Sequence, residues 1–391
     1  MKAVGIVAEY NPFHNGHLHH LQETKKLTGL PAIAVMSGSF MQRGEPAFLD
    51  KWLRARLAVE NGVDLVLELP AAFSLRSAEF FASGAVKILA ATGVVEKLSC
   101  GAESPSTNFV ELAKLVTSPA FNDKLQSFLG AGTTYAAAYE KALQALASDA
   151  KLNSPNDILA LEYCKALQDT NITPLFIKRE QANYNDTAIN GAIASATAIR
   201  KACAENDLAA AQSAVPANVA QALAANYGVN EALLWHLICY RLRLLTPAQI
   251  AEQCQCTEGL ENLLKQAENC SSLEEAVTLC SKKRYPRTRI RRLFMQLLLG
   301  KERCLLEQAE PAYIRVLAFN DVGRQLLKEM KESANLPIIT KLGKYPTNGQ
   351  SAAFAQQLEL ELTASDVLAL VQNSPANAGS DYVTSPYYLQ R

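Results

Sequence analysis

Gly5-Ile6-Val7-Ala8-Glu9-Tyr10-Asn11-Pro12-Phe13-His14-Asn15-Gly16-His17-Leu18 is the stretch whose reading decides the fold. Its first half belongs to an apolar run from Ala3 to Ala8 that reads as a buried strand. Its second half, from Asn15, Gly16 and His17, opens a helix expected to run to about Leu27. A proline and two histidines crowd into the turn between them. A helix N-terminus presents unpaired backbone N–H groups and a partial positive charge, which suits anions, phosphates above all. His14 and His17 stand three residues apart, so both imidazoles can face one anion. A lone histidine there would read as turn solvation. A turn-shaping Pro, a Gly that permits close approach and two His at a fixed offset read together as a binding site.

Outside this block the chain has the bulk properties of an ordinary globular protein. Its 391 residues suffice for two domains with sizeable cores, and hydrophobic residues make up 49%. Net charge is zero, so any basic surface must be local. Nine cysteines are scattered from Cys100 to Cys304 without framework spacing, and Met1-Lys2 leads straight into the first strand without a signal-peptide pattern. Together these predict a cytoplasmic chain with reduced thiols. Cys254 and Cys256 form the one tight cysteine pair, and four of the five histidines sit in or beside the opening block, so structural zinc lacks ligands and no metal site is expected. No apolar run reaches the roughly 20 residues a membrane span needs.

The first half alternates strand-like and helical segments. Ala32–Met36, Val63–Leu69, Val94–Cys100 and Thr173–Lys178 read as further strands, with helices at Lys51–Asn61 and Ala78–Thr92. Such alternation argues for a doubly wound parallel sheet of the α/β class, with ligands at the strands' carboxyl ends. The chemically loaded residues follow strand ends: Asn11–His17, Ser37–Glu45, Glu68 and Pro70, then Gly101–Ser104. Beyond about residue 205 the sequence turns Ala- and Leu-rich at helical period, as in Asp207–Ala225, Val229–Leu245 and Thr246–Cys254. Residues 1–205 are therefore read as one domain and 206–391 as a mostly α-helical second one. Leu336–Thr340 is its one strand-like run, Tyr313–Leu317 reads as packed helix with an exposed Arg315, and the tail after Asn373 reads as loop.

Several segments could carry chemistry. Ser37-Gly38-Ser39-Phe40-Met41-Gln42-Arg43-Gly44-Glu45-Pro46 is a glycine-punctuated loop whose Gln42, Arg43 and Glu45 favour a substrate-facing role. Arg43 and Lys51 suit either a phosphate or carboxylate partner or a solvated surface. Asn156, at a capped helix start, either caps or points an amide at a base or ribose. Ile193-Ala194-Ser195-Ala196-Thr197-Ala198-Ile199-Arg200 sets hydroxyls and an arginine at another helix N-terminus, a second anion cradle. Lys282, Lys283, Arg284, Arg287, Arg289, Arg291 and Arg292 fall within eleven residues with no acid among them. A solvated helix face normally interleaves acids, so the run predicts a polyanion partner, RNA above all, with Tyr285 placed to stack on a base.

His14-Asn15-Gly16-His17 resembles the HxGH signature of the HIGH-type nucleotidyltransferases and ligases, and Ile193–Arg200 resembles the ISxTxIR motif with which some adenylyltransferases hold ATP phosphates. The two half-motifs lie about 180 residues apart, and the lysine-rich loop of aminoacyl-tRNA synthetases is absent. The resemblance implies a HIGH-type nucleotidyltransferase domain in residues 1–205. Its chemistry is attack on the α-phosphorus of ATP with pyrophosphate leaving, Mg²⁺ accompanying the ATP. His14 and His17 would donate to phosphate oxygens, while Ser195, Thr197 and Arg200 hold the β/γ end.

Taken over nearly the whole chain, AEYNPFHNGH, MSGSFMQRGEPA, DLVLELP, SPNDILALEY, KRYPRTRIRR and YIRVLAFN resemble the bacterial tRNA(Met) cytidine acetate ligase family. What that implies is a ligase that activates acetate to acetyl-adenylate with ATP. The acetyl group then passes to N4 of the wobble cytidine of elongator tRNA(Met), which binds the second domain. The family's ATP site falls on Val7, Ala8, Glu9, Tyr10, Asn11, Pro12, Phe13, His14, Asn15, Gly16, His17, Leu18, His19 and His20, with Gly101, Asn156 and Arg179. The family often has Asn where Ser39 stands and Tyr where His19 stands. Two other classes fit the residues alone: an adenylyltransferase acting on a phosphorylated small metabolite, and a non-catalytic RNA-binding protein.

Overall fold

The computed structural model describes residues 1–391 apart from 131–132, 148–151, 153, 180–188, 190, 226–227, 255, 257, 301–309, 347–348, 375 and 391. The strands expected from the alternation form, with boundaries moved by a residue or two. They are β1 (Ala3–Ala8), β2 (Ala32–Ser37), the short β3 (Phe40–Met41) and β4 (Glu45–Pro46), β5 (Leu65–Leu69), β6 (Val95–Ala102) and β7 (Thr173–Lys178). β5, β2, β1, β6 and β7 lie side by side in that order, all parallel, while β3 and β4 pair as a separate antiparallel hairpin.

Burial on both faces explains why these strands read as unbroken apolar runs. Ala3, Ile33, Val35, Leu65, Leu67 and Leu98 face one apolar layer, and Val4, Ile6, Ala32, Ala34, Met36 and Val66 face the other. Gly5 is needed in β1, because a Cβ there would lie 2.6 Å from Leu89 of helix Ala78–Ala91. The chain lays β1, β2 and β5 outward to one side, then returns to place β6 and β7 on the other. That reversal, between β1 and β6, is where an open α/β sheet forms its binding crevice, at the strands' carboxyl ends.

Three expectations are corrected. Residues 313–317 are not helical: β8 (Ile314–Asn320) joins the sheet antiparallel to β5, and β9 (Ile338–Ile339) pairs parallel to β8. The tail is not a loop, since it holds helix Ser380–Val383 and β10 (Tyr387–Leu389), which pairs parallel to β8. Among the described residues, three of the eight strands of the main sheet thus come from beyond residue 205, although that part is otherwise helical.

The third correction concerns charge. Arg315 is 1% exposed and Lys51 2%, so neither is a surface residue, and Lys51 is out of reach of phosphate. Lys51 Nζ lies 2.6 Å from Glu68, 2.8 Å from Asp381 and 3.2 Å from Glu361, and Arg315 sits within 3.8 Å of Glu68 and 3.5 Å of Asp381. Three carboxylates against two cations leave one surplus negative charge in a dry interior. Burial, reinforced by Glu361, pushes the Glu68 carboxyl up to about 8, so that one proton balances the cluster. The cluster is also why an arginine can sit in a central strand: β8 is fastened to β5, to helix Lys51–Glu60 and to the C-terminal helix through it.

Beside it, fully buried Arg54 donates to the carbonyls of Glu9 (2.7 Å), Ser37 (3.0 Å), Leu49 (2.9 Å) and Gly38. The Glu9, Ser37 and Gly38 carbonyls lie at the carboxyl ends of β1 and β2. One guanidinium therefore fixes the two strand ends from which the site is built.

Candidate active site at the carboxyl ends of the central strands

β1 leaves the sheet through Tyr10, at φ 48°, and a cis Asn11–Pro12 bond. Asn11 Oδ1 accepts from Phe48 N at 2.7 Å, and buried Tyr10 and Phe13 pack against the His17 ring with centroids 5.0 and 5.7 Å away. The hydrogen bond and the ring contacts tie the turn to its surroundings before the helix begins. Helix Asn15–Thr28 is capped by its own histidines. His14 Nδ1 accepts from Gly16 N (3.1 Å) and His17 N (3.3 Å), and His17 Nδ1 accepts from His14 N (3.2 Å). This is a capping box with imidazoles in place of the usual hydroxyl and carboxyl.

That arrangement determines what the rings can do. With Nδ1 occupied as an acceptor, a neutral imidazole carries its proton on Nε2 and donates from it. Burial, with Arg179 nearby, lowers the His14 pKa from the usual 6.5 to about 3, and burial and His14 lower His17 well below it. The rings stack with centroids 3.6 Å apart. A Cβ at position 16 would lie 3.0 Å from the His14 ring, which explains Gly16. Two parallel Nε2–H donors above a helix N-terminus suit adjacent phosphate oxygens.

The second half-motif opens a helix. Ser195 Oγ accepts from Ala198 N at 3.0 Å, capping helix Ala196–Ala204. Arg200 donates to the Asn11 carbonyl at 2.9 Å and to Glu45 at 2.7 Å. It ties the first turn, the second helix and the β3–β4 hairpin together, and three of its five N–H groups take part in none of the described hydrogen bonds. On the far side, Arg179 lies over Gly101, where a Cβ would come within 3.1 Å of its Cγ. Glu103 links Arg179 (3.6 Å) to Asn156 Nδ2 (2.6 Å) and the Ser154 hydroxyl (2.6 Å).

These parts enclose one cavity. Val7, Ala8, Glu9, Tyr10, Asn11, His14, Gly16, His17, His19, His20, Gly101, Asn156, Arg179, Ser195, Thr197 and Arg200 all line it. Pro12, Phe13, Asn15 and Leu18 do not: Pro12 shapes the turn, and Phe13 and Leu18 pack into an apolar layer. Asn15 Nδ2 clasps the carbonyls of Ala192 (2.8 Å) and Ser213 (3.4 Å), holding the second half-motif against the first. Gln42, Arg43 and Glu45 line the cavity from the hairpin. Phe81, Cys100, Leu159 and Tyr163 supply an apolar wall that motif reading did not single out, since each reads as ordinary core. Among the described residues, no group of three or more His, Cys, Asp and Glu side chains gathers to hold a metal ion.

The basic run opens helix Arg287–Leu299. Its acids come from elsewhere: Arg284 meets Glu258 at 2.5 Å, and Glu274 pairs with Arg287 and Arg291. Lys282, Lys283 and Arg289 reach the surface, Arg289 stacking over Tyr285 with its guanidinium 5.1 Å from the ring centroid. Arg292 instead turns inward and donates to the Gln42 carbonyl at 3.2 Å. Gly44, at φ 78°, packs so closely that a Cβ would lie 2.4 Å from Arg292 N. The hairpin that lines the cavity is thus pinned beneath the basic helix.

Comparisons with known proteins place the chain in a family. The family model "HIGH Nucleotidyl Transferase" matches residues 1–381. The chain is 37% identical to a tRNA(Met) cytidine acetate ligase of Thermoanaerobacter sp. (strain X514) over 98% of both chains. It is 40% identical to one of Leuconostoc mesenteroides over the full length of both. Crystal structures of Thermotoga maritima TmcAL superpose over the full length of both chains. The apo form gives a TM-score of 0.91 at 31% identity, and the form bound with alpha-thio ATP gives 0.88 at 30%. The chain belongs to the tRNA(Met) cytidine acetate ligase family of HIGH nucleotidyltransferases.

Proposed function

We infer that the protein is an ATP-dependent ligase. It activates acetate to acetyl-adenylate and passes the acetyl group to N4 of the wobble cytidine of elongator tRNA(Met), giving N4-acetylcytidine with release of AMP and pyrophosphate. The observation that carries the first step is the stacked His14–His17 pair, with both Nδ1 atoms tied to backbone and both Nε2–H groups left as donors at a helix N-terminus. Free acetate is too weak an acylating agent for an aromatic amine, and a mixed anhydride with AMP supplies the missing leaving group.

The adenylating step needs no nucleophile from the protein. Acetate oxygen attacks the α-phosphorus, the bond to the bridging oxygen breaks, and pyrophosphate leaves with the electron pair. Catalysis is therefore positioning and neutralisation of growing phosphate charge. His14 and His17 donate to the phosphates, Ser195, Thr197 and Arg200 receive the β/γ end, and Arg179 faces the same charge from β7. Magnesium enters with the triphosphate as part of the substrate.

Residues 206–391 contribute the RNA surface, centred on Lys282, Lys283, Arg284, Arg287, Arg289 and Arg291. Arg292 joins that surface to the hairpin lining the cavity, so the docked RNA and the adenylate meet at one place. Among the described residues no helix is long and apolar enough to cross a membrane. The tRNA, acetate and ATP pools on which the activity draws are those of the cytoplasm. Incubating the purified chain with labelled acetate, ATP and unmodified elongator tRNA(Met) should yield N4-acetylcytidine at the wobble position. Label that stays out of RNA, or enters only when a phosphorylated metabolite is added, would contradict this function.

A further inference from the structure

Acetyl transfer, unlike adenylation, needs a proton acceptor. When the exocyclic amine attacks the acetyl carbonyl, a C–N bond forms, the C–O bond to phosphate breaks, and AMP leaves with the electron pair. The nitrogen must also shed a proton, and its lone pair is delocalised into the ring, so taking that proton during attack assists the step.

The groups facing the cavity leave few acceptors. His14 and His17 have Nδ1 committed to backbone N–H groups and are donors at Nε2. His20 Nε2 pairs with the Ser99 hydroxyl at 3.1 Å. Burial pushes the Cys100 thiol and the Tyr163 hydroxyl up, so both stay protonated. Arg43, Lys178, Arg179 and Arg200 are cations, and Glu45 is engaged by Arg200. Glu9 and His19 also line the cavity.

Two observations single out Glu9. Its Oε1 accepts from Gln42 N at 2.8 Å, while Oε2 takes part in none of the described hydrogen bonds or ion pairs. The same Gln42 residue accepts, through its carbonyl, from Arg292 of the basic helix. Glu9 is therefore linked through Gln42 to the basic helix. Burial raises the Glu9 carboxyl above its usual range, with the Gln42 N–H, Arg200 and Arg43 pulling it back, a direction that makes it a better proton acceptor. Carboxylates also accept from the N4 amino group of cytosine in base readout.

We propose that the Glu9–Gln42 end of the cavity is the acceptor-base subsite, with Glu9 Oε2 receiving a hydrogen of the exocyclic amine and taking up its proton as the amide forms. The proposal rests on the acetyl-transfer function above. The test is single-turnover transfer from enzyme-bound acetyl-adenylate to unmodified elongator tRNA(Met), followed from about pH 5 to about pH 9, beside acetate-dependent ATP–pyrophosphate exchange. In Glu9→Gln, transfer should fall about 100-fold or more, far more than exchange, and the acidic limb of the pH profile should vanish. In Glu9→Asp, which keeps the carboxylate one methylene short, part of the rate and the limb itself should return. Equal losses of exchange and transfer would assign Glu9 to ATP binding and overturn the subsite, even if Glu9→Gln folds poorly and the comparison rests on Glu9→Asp. A limb that survives in Glu9→Gln but disappears in His19→Gln would overturn it in favour of His19. A wild-type chain without acetate-dependent exchange would instead remove the function on which the subsite depends.

Discussion

Replacing His17 separates the chemistry of the opening turn from its architecture. In the structure His17 does two jobs: its Nδ1 accepts from His14 N at 3.2 Å, and its Nε2–H is left for a ligand. His17→Ala removes both. Loss of the cap costs about 0.5–2 kcal/mol of helix stability. Loss of a donor to an anionic oxygen costs about 1.5–3 kcal/mol, and removing one such preorganised donor typically slows catalysis about 100- to 1,000-fold. His17→Glu restores the architecture alone, because glutamate is the usual capping-box partner at this position, yet it sets a negative charge where phosphate must lie. Acetate-dependent ATP–pyrophosphate exchange should therefore fall about 100-fold or more in His17→Ala, and further in His17→Glu. The melting temperature of His17→Glu should match or exceed that of His17→Ala, and tRNA affinity should stay near wild type in both. Recovery of exchange in His17→Glu would show that the histidine serves only to start the helix, and the reasoning would fail.

Three more outcomes are expected. Charge reversal at Arg289 and Arg291 should weaken tRNA binding and flatten its salt dependence, by about 0.9 in the log–log slope for each phosphate no longer neutralised, with exchange retained; an unchanged salt slope would place the RNA elsewhere. Lys51→Met removes the one cation paired with all three buried carboxylates and should cost about 3–5 kcal/mol in denaturant unfolding, a loss under about 1 kcal/mol contradicting the buried cluster. The third concerns pH. Burial, then Arg179, holds His14 at about 3 and His20 at about 4, below the 6.5 of an unfolded chain, so the unfolded state binds more protons between those values. Stability of the ligand-free protein should accordingly drop as pH falls from about 6.5 towards 4, and drop less in His20→Gln; identical slopes for wild type and variant would refute it.

The opening block was legible because its architecture is local. A strand end, a helix start and two histidines lie within a dozen residues, and the rules linking such a turn to anions need no tertiary information. The second half-motif was legible for the same reason, and only their meeting required the fold. What escaped depends on distant partners. Arg315 reads as a surface charge until Glu68 and Asp381 are brought to it, and a helix-like Tyr313–Leu317 becomes a strand because β5 offers it an edge. The C-terminal tail is polar and proline-bearing, yet Asp381 anchors it to Lys51 at 2.8 Å and β10 finds β8. The basic run shows the converse: it contains no acid of its own, but Glu258 and Glu274 arrive from neighbouring segments. Phe81, Leu159 and Tyr163 could not be told from core, since a wall of the cavity and a wall of the core have the same composition.

On the proposed function, one chain makes an acetyl-adenylate by itself and only then hands the acetyl group to RNA. Pyrophosphate exchange into ATP by the purified protein, with acetate and without any RNA, tests it most directly. Exchange should require acetate, persist in Arg289 and Arg291 charge-reversal variants, and be lost in His17→Ala. Exchange that is indifferent to acetate, or that appears only with a phosphorylated metabolite, would contradict it.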